Sequence, residues 1–340
     1  MTMTERPRGR VGIREVAHRA GVSDGTVSNV MNRPHLVAPA TVARVLAVMD
    51  EIGFVRNSLA HQLRTGAGTT IGLVVLNAAN PFFAELAHAC EEAAERRGMT
   101  VLTGSSNQDL ERENRFVDVF EQQRVRGVLV APIDGPTPRM ERLQERGSAL
   151  VLFDTHPHPG RFATVSLDGH AAGAMAVRHL IECGSRRIAF VGGPMHLVHD
   201  RWAGATEELR RHPGVLLQHV DTAEQTVTEG QAAGSYLAAL PKQERPDALF
   251  GANDLLALGL LQALAQHETL RVPQDIAVMG YDDIEFSASA IVPLTSIRQP
   301  RDKLASEGLR LLIEGSADPR NHREQVLLPP ELIVRASTKR

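Results

Sequence analysis

Cysteine is nearly missing from the 340 residues: Cys90 and Cys183 are the only two, too few for a disulfide framework and without metal-ligand spacing. Both fit a reducing compartment, as small packing residues on helices. No stretch approaches the ~20 apolar residues needed to span a bilayer. The opening MTMTERPRGRVGIREV is basic but lacks the apolar core of a secretory signal, so a cytoplasmic location is expected. There is no Walker-type loop, no G-x-G-x-x-G after the first strand-like run and no G-x-S-x-G elbow. Gly192-Gly193 reads as a strand-end turn. These absences argue against an enzyme, and no cofactor is expected.

What remains is a globular composition, 43% hydrophobic and 23% charged, on a chain long enough for two or three domains. The net charge of −3 hides an asymmetry. Residues 1–65 hold nine Arg and no Lys against three Glu and two Asp, a balance of +4, and the remainder is −7. A basic head on an acidic body fits a protein in which only the head meets phosphate.

Within that head, Ile13, Val16, Ala17 and Ala20 recur at helical spacing, and Gly21 ends the pattern. Ser23 can cap a second helix on which Val27, Val30 and Met31 share a face, broken at Asn32, Arg33 and Pro34. A third starts near Pro39, with Val42, Val45, Leu46, Met49 and Ile52 along one side and Gly53 at its close. Two short helices joined tightly through Gly21, Val22 and Ser23 form a helix-turn-helix, which sets its second helix in the major groove. On that helix Asp24, Gly25, Ser28 and Asn29 face outward. Asn29 can pair with N6 and N7 of adenine, and Ser28 or Thr26 can reach phosphate or a base edge. Residues 57–65 read as a conditional hinge helix, too short to be stable alone.

From residue 70 apolar strand-like runs alternate with helical stretches: 71–76, 100–104, 127–132, 149–154, 187–193, 248–253 and 276–282. Alternation of this kind predicts parallel sheets covered by helices on both faces, and about ten strands suit two α/β subdomains.

The blocks IREVAHRAGVSDGTVSNVMN, GFVRNSLAHQLRTG, IGLVVLNAANPFF, RRIAFVGGP, DRWAG, GANDLLALG, VMGYDD, TSIRQP and LPPELIVRAST, in this order, resemble the LacI/GalR family of bacterial transcription repressors. The core also resembles periplasmic ribose- and galactose-binding proteins. The resemblance implies a helix-turn-helix head (1–56), a hinge helix and linker (57–68), and two doubly wound parallel-sheet subdomains. The first would comprise 69–164 and 294–322, the second 165–293 and 323–340, joined by three crossovers. It implies a homodimer or dimer of dimers on a near-palindromic double-stranded operator, with Leu63 wedged into the minor groove. Ser23, Asp24, Gly25, Thr26, Ser28, Asn29, Arg33, Asn57, Ala60 and Leu63 are the candidate DNA contacts. The chain departs from the family at Asn29, where Arg is common, at Asp24 and Gly25, and at Arg56, where Pro is usual.

The resemblance also implies a small polar effector, a sugar or sugar derivative, in the cleft between the lobes. Asn80-Pro81-Phe82-Phe83 can be read as a helix start with packing aromatics. The resemblance instead makes Asn80 a hydroxyl partner and Phe82 or Phe83 a platform for a sugar's apolar face. Asp154, Arg201, Trp202, Asn253, Asp282 and Gln299 complete the candidate set. Trp202 can line the cleft or merely pack, and Asn253 can cap a helix and bond ligand at once. Thr155 stands where relatives often have Arg, and Asp168-Gly169 where they often have Asp-Asn. His156 and His158 beside Asp154 could suggest metal, but flanking prolines favour a solvated loop, so no metal is expected. The alternative reading is a sugar-binding protein or carbohydrate enzyme without operator binding.

Overall fold

The computed structural model describes residues 12–54, 68–153, 161–267, 269–318 and 323–339. The chain divides into two compact units, Met1–Ala67 and Gly68–Arg340.

In the first unit α1 (Ile13–Ala20), α2 (Asp24–Asn32) and α3 (Pro39–Glu51) enclose Val16, Ala17, Ala20, Val27, Val30, Val45 and Met49. Gly21 ends α1 at φ 64°, a left-handed turn that glycine adopts without a Cβ penalty. Ser23 Oγ accepts the Thr26 N–H at 3.1 Å and so starts α2. Ile13 and Leu46, expected on the apolar faces, are exposed instead. Ile13 begins the first helix, and Leu46 lies ~100° around the third helix from buried Val45, at the edge of its apolar stripe.

The second unit opens with β1 (Thr70–Val75), α4 (Pro81–Glu95), β2 (Thr100–Ser105), α5 (Leu110–Gln122), β3 (Gly127–Val130), α6 (Pro138–Glu145), β4 (Ala149–Phe153) and β5 (Ala163–Leu167). It continues with α7 (Gly169–Glu182), β6 (Arg187–Val191), α8 (Met195–Leu209), β7 (Leu216–Val220), α9 (Val227–Ala239), β8 (Ala248–Gly251) and α10 (Asp254–Ala265). Then come β9 (Ala277–Asp282), α11 (Glu285–Ser289), β10 (Thr295–Arg298), α12 (Arg301–Gly315), β11 (Gln325–Leu328) and β12 (Glu331–Ile333). Two six-stranded sheets result, in the orders β11-β5-β4-β3-β1-β2 and β12-β10-β9-β8-β6-β7. All neighbours are parallel except β10 and β12. The central strands β3, β4, β8 and β9 are buried along their whole length, as a parallel sheet covered on both faces requires.

The chain changes sheet three times: after Leu167, after Arg298 and between Leu328 and Glu331. The expected boundaries at 164/165, 293/294 and 322/323 each fall a few residues early. Each strand completes its ladder before crossing: Leu167 still pairs with Leu328, and Arg298 with Asp282. Successive α7 and α8 touch backbone to backbone. A Cβ on Gly173 would lie 1.9 Å from the Arg201 carbonyl oxygen, and one on Gly204 1.8 Å from that of His170. This close approach sets where Arg201 stands.

Candidate functional site

In the head, α2 presents Asp24, Gly25 and Asn29 to solvent, while Val27 and Val30 face inward. Ser23 and Thr26 hydroxyls bond each other at 2.9 Å and serve the cap. Asn32 Nδ2 donates to Ser28 O and Ser28 Oγ, at 2.7 and 3.3 Å, so Ser28 is partly engaged within the helix. Arg33 is exposed at the helix end. Arg14 Nε lies 3.8 Å from Asp24 Oδ2. Such an exposed pair adds little stability, but it offsets the one carboxylate on the reading helix. Arg56, Asn57, Ala60 and Leu63 lie outside the described residues.

In the second unit a cavity of about 130 Å³ opens where the C-terminal ends of strands from both sheets meet. Ligands bind at this end of parallel sheets because strand-end loops and helix N-termini present polar groups there. One lobe contributes Asn80, Phe82 and Phe83 from the start of α4. Asn80 Oδ1 accepts the Phe82 N–H at 3.0 Å, which fixes the amide and leaves Nδ2 and one lone pair of Oδ1 for the cleft. The Phe82 and Phe83 rings meet edge to face, centroids 5.1 Å apart. The loop after β3 adds Ile133 and Asp134. That loop is held from behind by Glu113, a fully buried residue whose Oε2 accepts the Ile133 N–H at 3.0 Å. Burial pushes this carboxyl up to about 7.

The other lobe contributes Arg201, Tyr281 and Asp282. Arg201 is buried, its guanidinium 3.8 Å from the centre of the Tyr281 ring, and its Nη1 donates to Ala252 O at 2.7 Å. A stacked, hydrogen-bonded guanidinium is pre-organised, so little entropy is lost when a ligand arrives. Asp282 ends β9 with φ 109°, and its Oδ1 accepts from Gln299 Nε2 at 2.8 Å. Asp134 and Asp200 add carboxylates and His196 an imidazole, so carboxylates outnumber the guanidinium.

The remaining candidates stand elsewhere. Gln299 backs Asp282 without lining the cavity. Asn253 spends both ends of its amide on the protein: Oδ1 accepts the Leu256 N–H at 2.9 Å, and Nδ2 donates at 3.3 Å to the carbonyl of Gln225, which does line the cavity. Trp202 packs against Phe190 and His219, centroids 5.6 and 5.3 Å away, and does not line the cavity. The next position on a helix points ~100° away, so Trp202 enters the lobe's core where Arg201 enters the cleft. Asp154, Thr155, His156 and His158 lie outside the described residues. Among the described residues no cluster of three His, Cys, Asp or Glu could hold a metal, and no helix is long and apolar enough to cross a membrane. Sequence reasoning missed Tyr281, Ile133, Asp134, His196, Asp200 and Gln225. The strand-end rule points to Tyr281 and Asp134, and the i, i+4 spacing of His196 and Asp200 puts those two on one face of α8.

Comparison with known proteins decides what carries this pair of features. Residues 12–57 match the model for bacterial regulatory proteins of the lacI family, and 177–338 the model for a periplasmic binding protein-like domain. The ribose operon repressor of Escherichia coli (strain K12) is 33% identical over 330 residues, covering 96% of this chain and 99% of that one. The chain belongs to the LacI family. The transcriptional repressor PurR of Photobacterium profundum is 30% identical over 337 residues, 96% of this chain and 98% of that one. Among solved structures, the lac repressor dimer bound to operator and the anti-inducer ONPF superposes with a TM-score of 0.82 at 26% identity, covering 97% of this chain and 99% of that one. This LacI-family chain is therefore a DNA-binding transcription regulator with a small-molecule-binding core, and its relatives are repressors, not enzymes.

Proposed function

We propose that this regulator binds a near-palindromic operator as a homodimer, with Asp24 and Asn29 reading bases where Gly25 lets the helix approach closely, and that a neutral, polyhydroxylated ligand in the cleft sets its DNA affinity. The observation that carries the ligand class is the division of labour in the cavity. Arg201 and Asp282 offer a fixed donor fork and an acceptor from one lobe, and Phe82 and Phe83 offer aromatic surface from the other. A sugar has this polarity, hydroxyls along its edge and C–H groups on its face. An anionic ligand would meet Asp134, Asp200 and Asp282 against a single guanidinium. The cavity is small beside the 300–1,000 Å³ of drug-sized sites, which favours a compact ligand. The protein acts in the cytoplasm, on the nucleoid when DNA-bound.

The face joining two copies is an exposed apolar groove lined by Pro81, Leu255, Leu258, Leu261, Phe286 and Ile291. Ile291, 94% exposed, and Phe286 stand together there, and apolar residues gathered in one exposed patch mark interaction surfaces. A thermal-shift screen against free sugars and their phosphates tests the ligand class, with stabilisation expected from free sugars alone. Arg201→Ala should reduce the affinity for the sugar found by about tenfold or more, the cost of losing a charged hydrogen-bond donor, and leave operator binding unchanged. Equal loss of operator binding would show that the cleft assignment is wrong.

A further inference from the structure

The cleft carboxylate of Asp282 sits in a stretch of backbone that L-residues rarely adopt: Asp282 and Asp283 have φ of 109° and 54°. Such strain persists only where the surroundings over-determine it. Behind the turn lies Asp254, wholly buried in the first turn of α10. Its Oδ2 accepts the Ile284 N–H at 2.9 Å and the Ser287 hydroxyl at 2.5 Å, and its Oδ1 accepts the Ser296 hydroxyl at 2.6 Å. Ser296 Oγ in turn accepts the Asp283 N–H at 3.1 Å. One carboxylate thus holds residue 284 directly, 283 through a hydroxyl, and the side chain of Ser287 on α11. From the other flank Arg298 and Arg335 grip the Asp283 carboxylate at 2.8 and 2.6 Å.

The plain use of an aspartate here would be to cap its own helix. Asn253 already does that, through the Leu256 N–H. Gly280 makes room for the carboxylate, since a Cβ there would lie 2.1 Å from Asp254 Oδ1. Burying a carboxyl is costly unless it is hydrogen-bonded, and burial pushes this one up to about 7. The fold keeps a costly group whose three bonded partners all lie on the segments around the cleft turn.

We propose that Asp254 is a positioning residue of the cleft: through Ile284, Ser287 and Ser296 it fixes the turn that aims Asp282 at the ligand and ties that turn to α11. Because α11 also carries Phe286 into the apolar groove, one carboxylate joins the cleft to the face assigned to the partner copy. The significance of the turn rests on the effector reading of the cleft. A ligand-free test separates the two, because anchoring then holds or fails whether or not a sugar binds.

The test is amide hydrogen exchange of the full chain without ligand, comparing 282–284 with 285–289. Ser296→Ala should accelerate exchange mainly in 282–284, and Ser287→Ala mainly in 285–289. Each acceleration should reach up to about tenfold, the upper end of what loss of one buried hydrogen bond gives. Asp254→Ala should accelerate both segments, and Asp254→Asn, which keeps an acceptor oxygen for the Ile284 N–H, should restore most of the protection. If Asp254→Ala does not fold, the two serine variants still decide. Unchanged exchange in both serine variants, acceleration spread evenly over the lobe, or an Asn variant as fast as the Ala one would each overturn the proposal.

Discussion

Arg201 shows how much of this molecule rests on single side chains. Its position was legible from the block DRWAG through the family resemblance, and its environment was not. Tyr281, which it stacks on, and Ala252, whose carbonyl it bonds, lie 80 and 51 residues away. No local pattern announces such partners. Trp202 is the converse case: the sequence left open whether it lines the cleft or packs, and helix geometry turns it away from Arg201 into the lobe's core. Two buried carboxylates titrate in opposite senses. Glu208, bonded by Arg178 and His212 with Arg211 nearby, is held down at about 2. Its contribution is present above the ordinary glutamate range and is lost as pH falls toward 2. Asp254 is raised to about 7 by burial, so the folded chain favours its neutral form. Its contribution is greatest below the ordinary aspartate range and is lost as pH rises through 7. Melting curves should therefore show Asp254→Asn gaining relative to wild type between pH ~4 and ~7, the window set by the two values. Glu208→Gln should be destabilising at neutral pH, with the gap closing in acid. A parallel pH profile for Asp254→Asn and wild type would contradict the burial argument.

At the scale of elements, the helices of the head were readable because each has its own punctuation: Gly21, Ser23 and Pro39 stop or start them by local geometry. Most buried strands were readable as continuous apolar runs, but β5 and β10, whose buried residues include Thr and Ser, were not. The edge strands β7, β11 and β12 were not, because they are only partly covered and alternate between exposed and half-buried residues. That is why about ten strands were expected where twelve are described. The same gap displaced the crossovers, since the pairing of β5 with β11 cannot be inferred from either strand alone. The packing of α7 on α8 makes an element-scale prediction. Gly204→Ala should force the two helices apart and cost about 1–3 kcal/mol, the range for overpacking. It should also weaken ligand binding by shifting Arg201, while Ala205→Gly on the same helix should lower stability without that clash. Calorimetric melting and ligand titration read both effects. A fully stable Gly204→Ala with wild-type ligand affinity would show that the close contact does not set the arginine.

At the scale of the whole molecule, the division into a basic head and an acidic body was visible from charge alone, and the order of the sequence blocks made the family legible. What composition could not reveal was the exposed groove around Phe286 and Ile291, whose residues come from α4, α9, α10, α11 and the segments beside them. Ile291→Asp should shift the sedimenting species from two chains to one, because a charge at the centre of an apolar interface is left unpaired. An unchanged dimer would place the subunit face elsewhere. The most direct measurement of effector-controlled DNA binding is operator affinity on the region upstream of this gene, at physiological salt, with and without the sugar identified by thermal shift. The expected result is specific binding whose affinity changes about 5- to 150-fold at saturating sugar, the usual span of allosteric coupling, with Arg201→Ala abolishing the change. Absence of specific binding, or an affinity indifferent to a sugar that stabilises the protein, would contradict it.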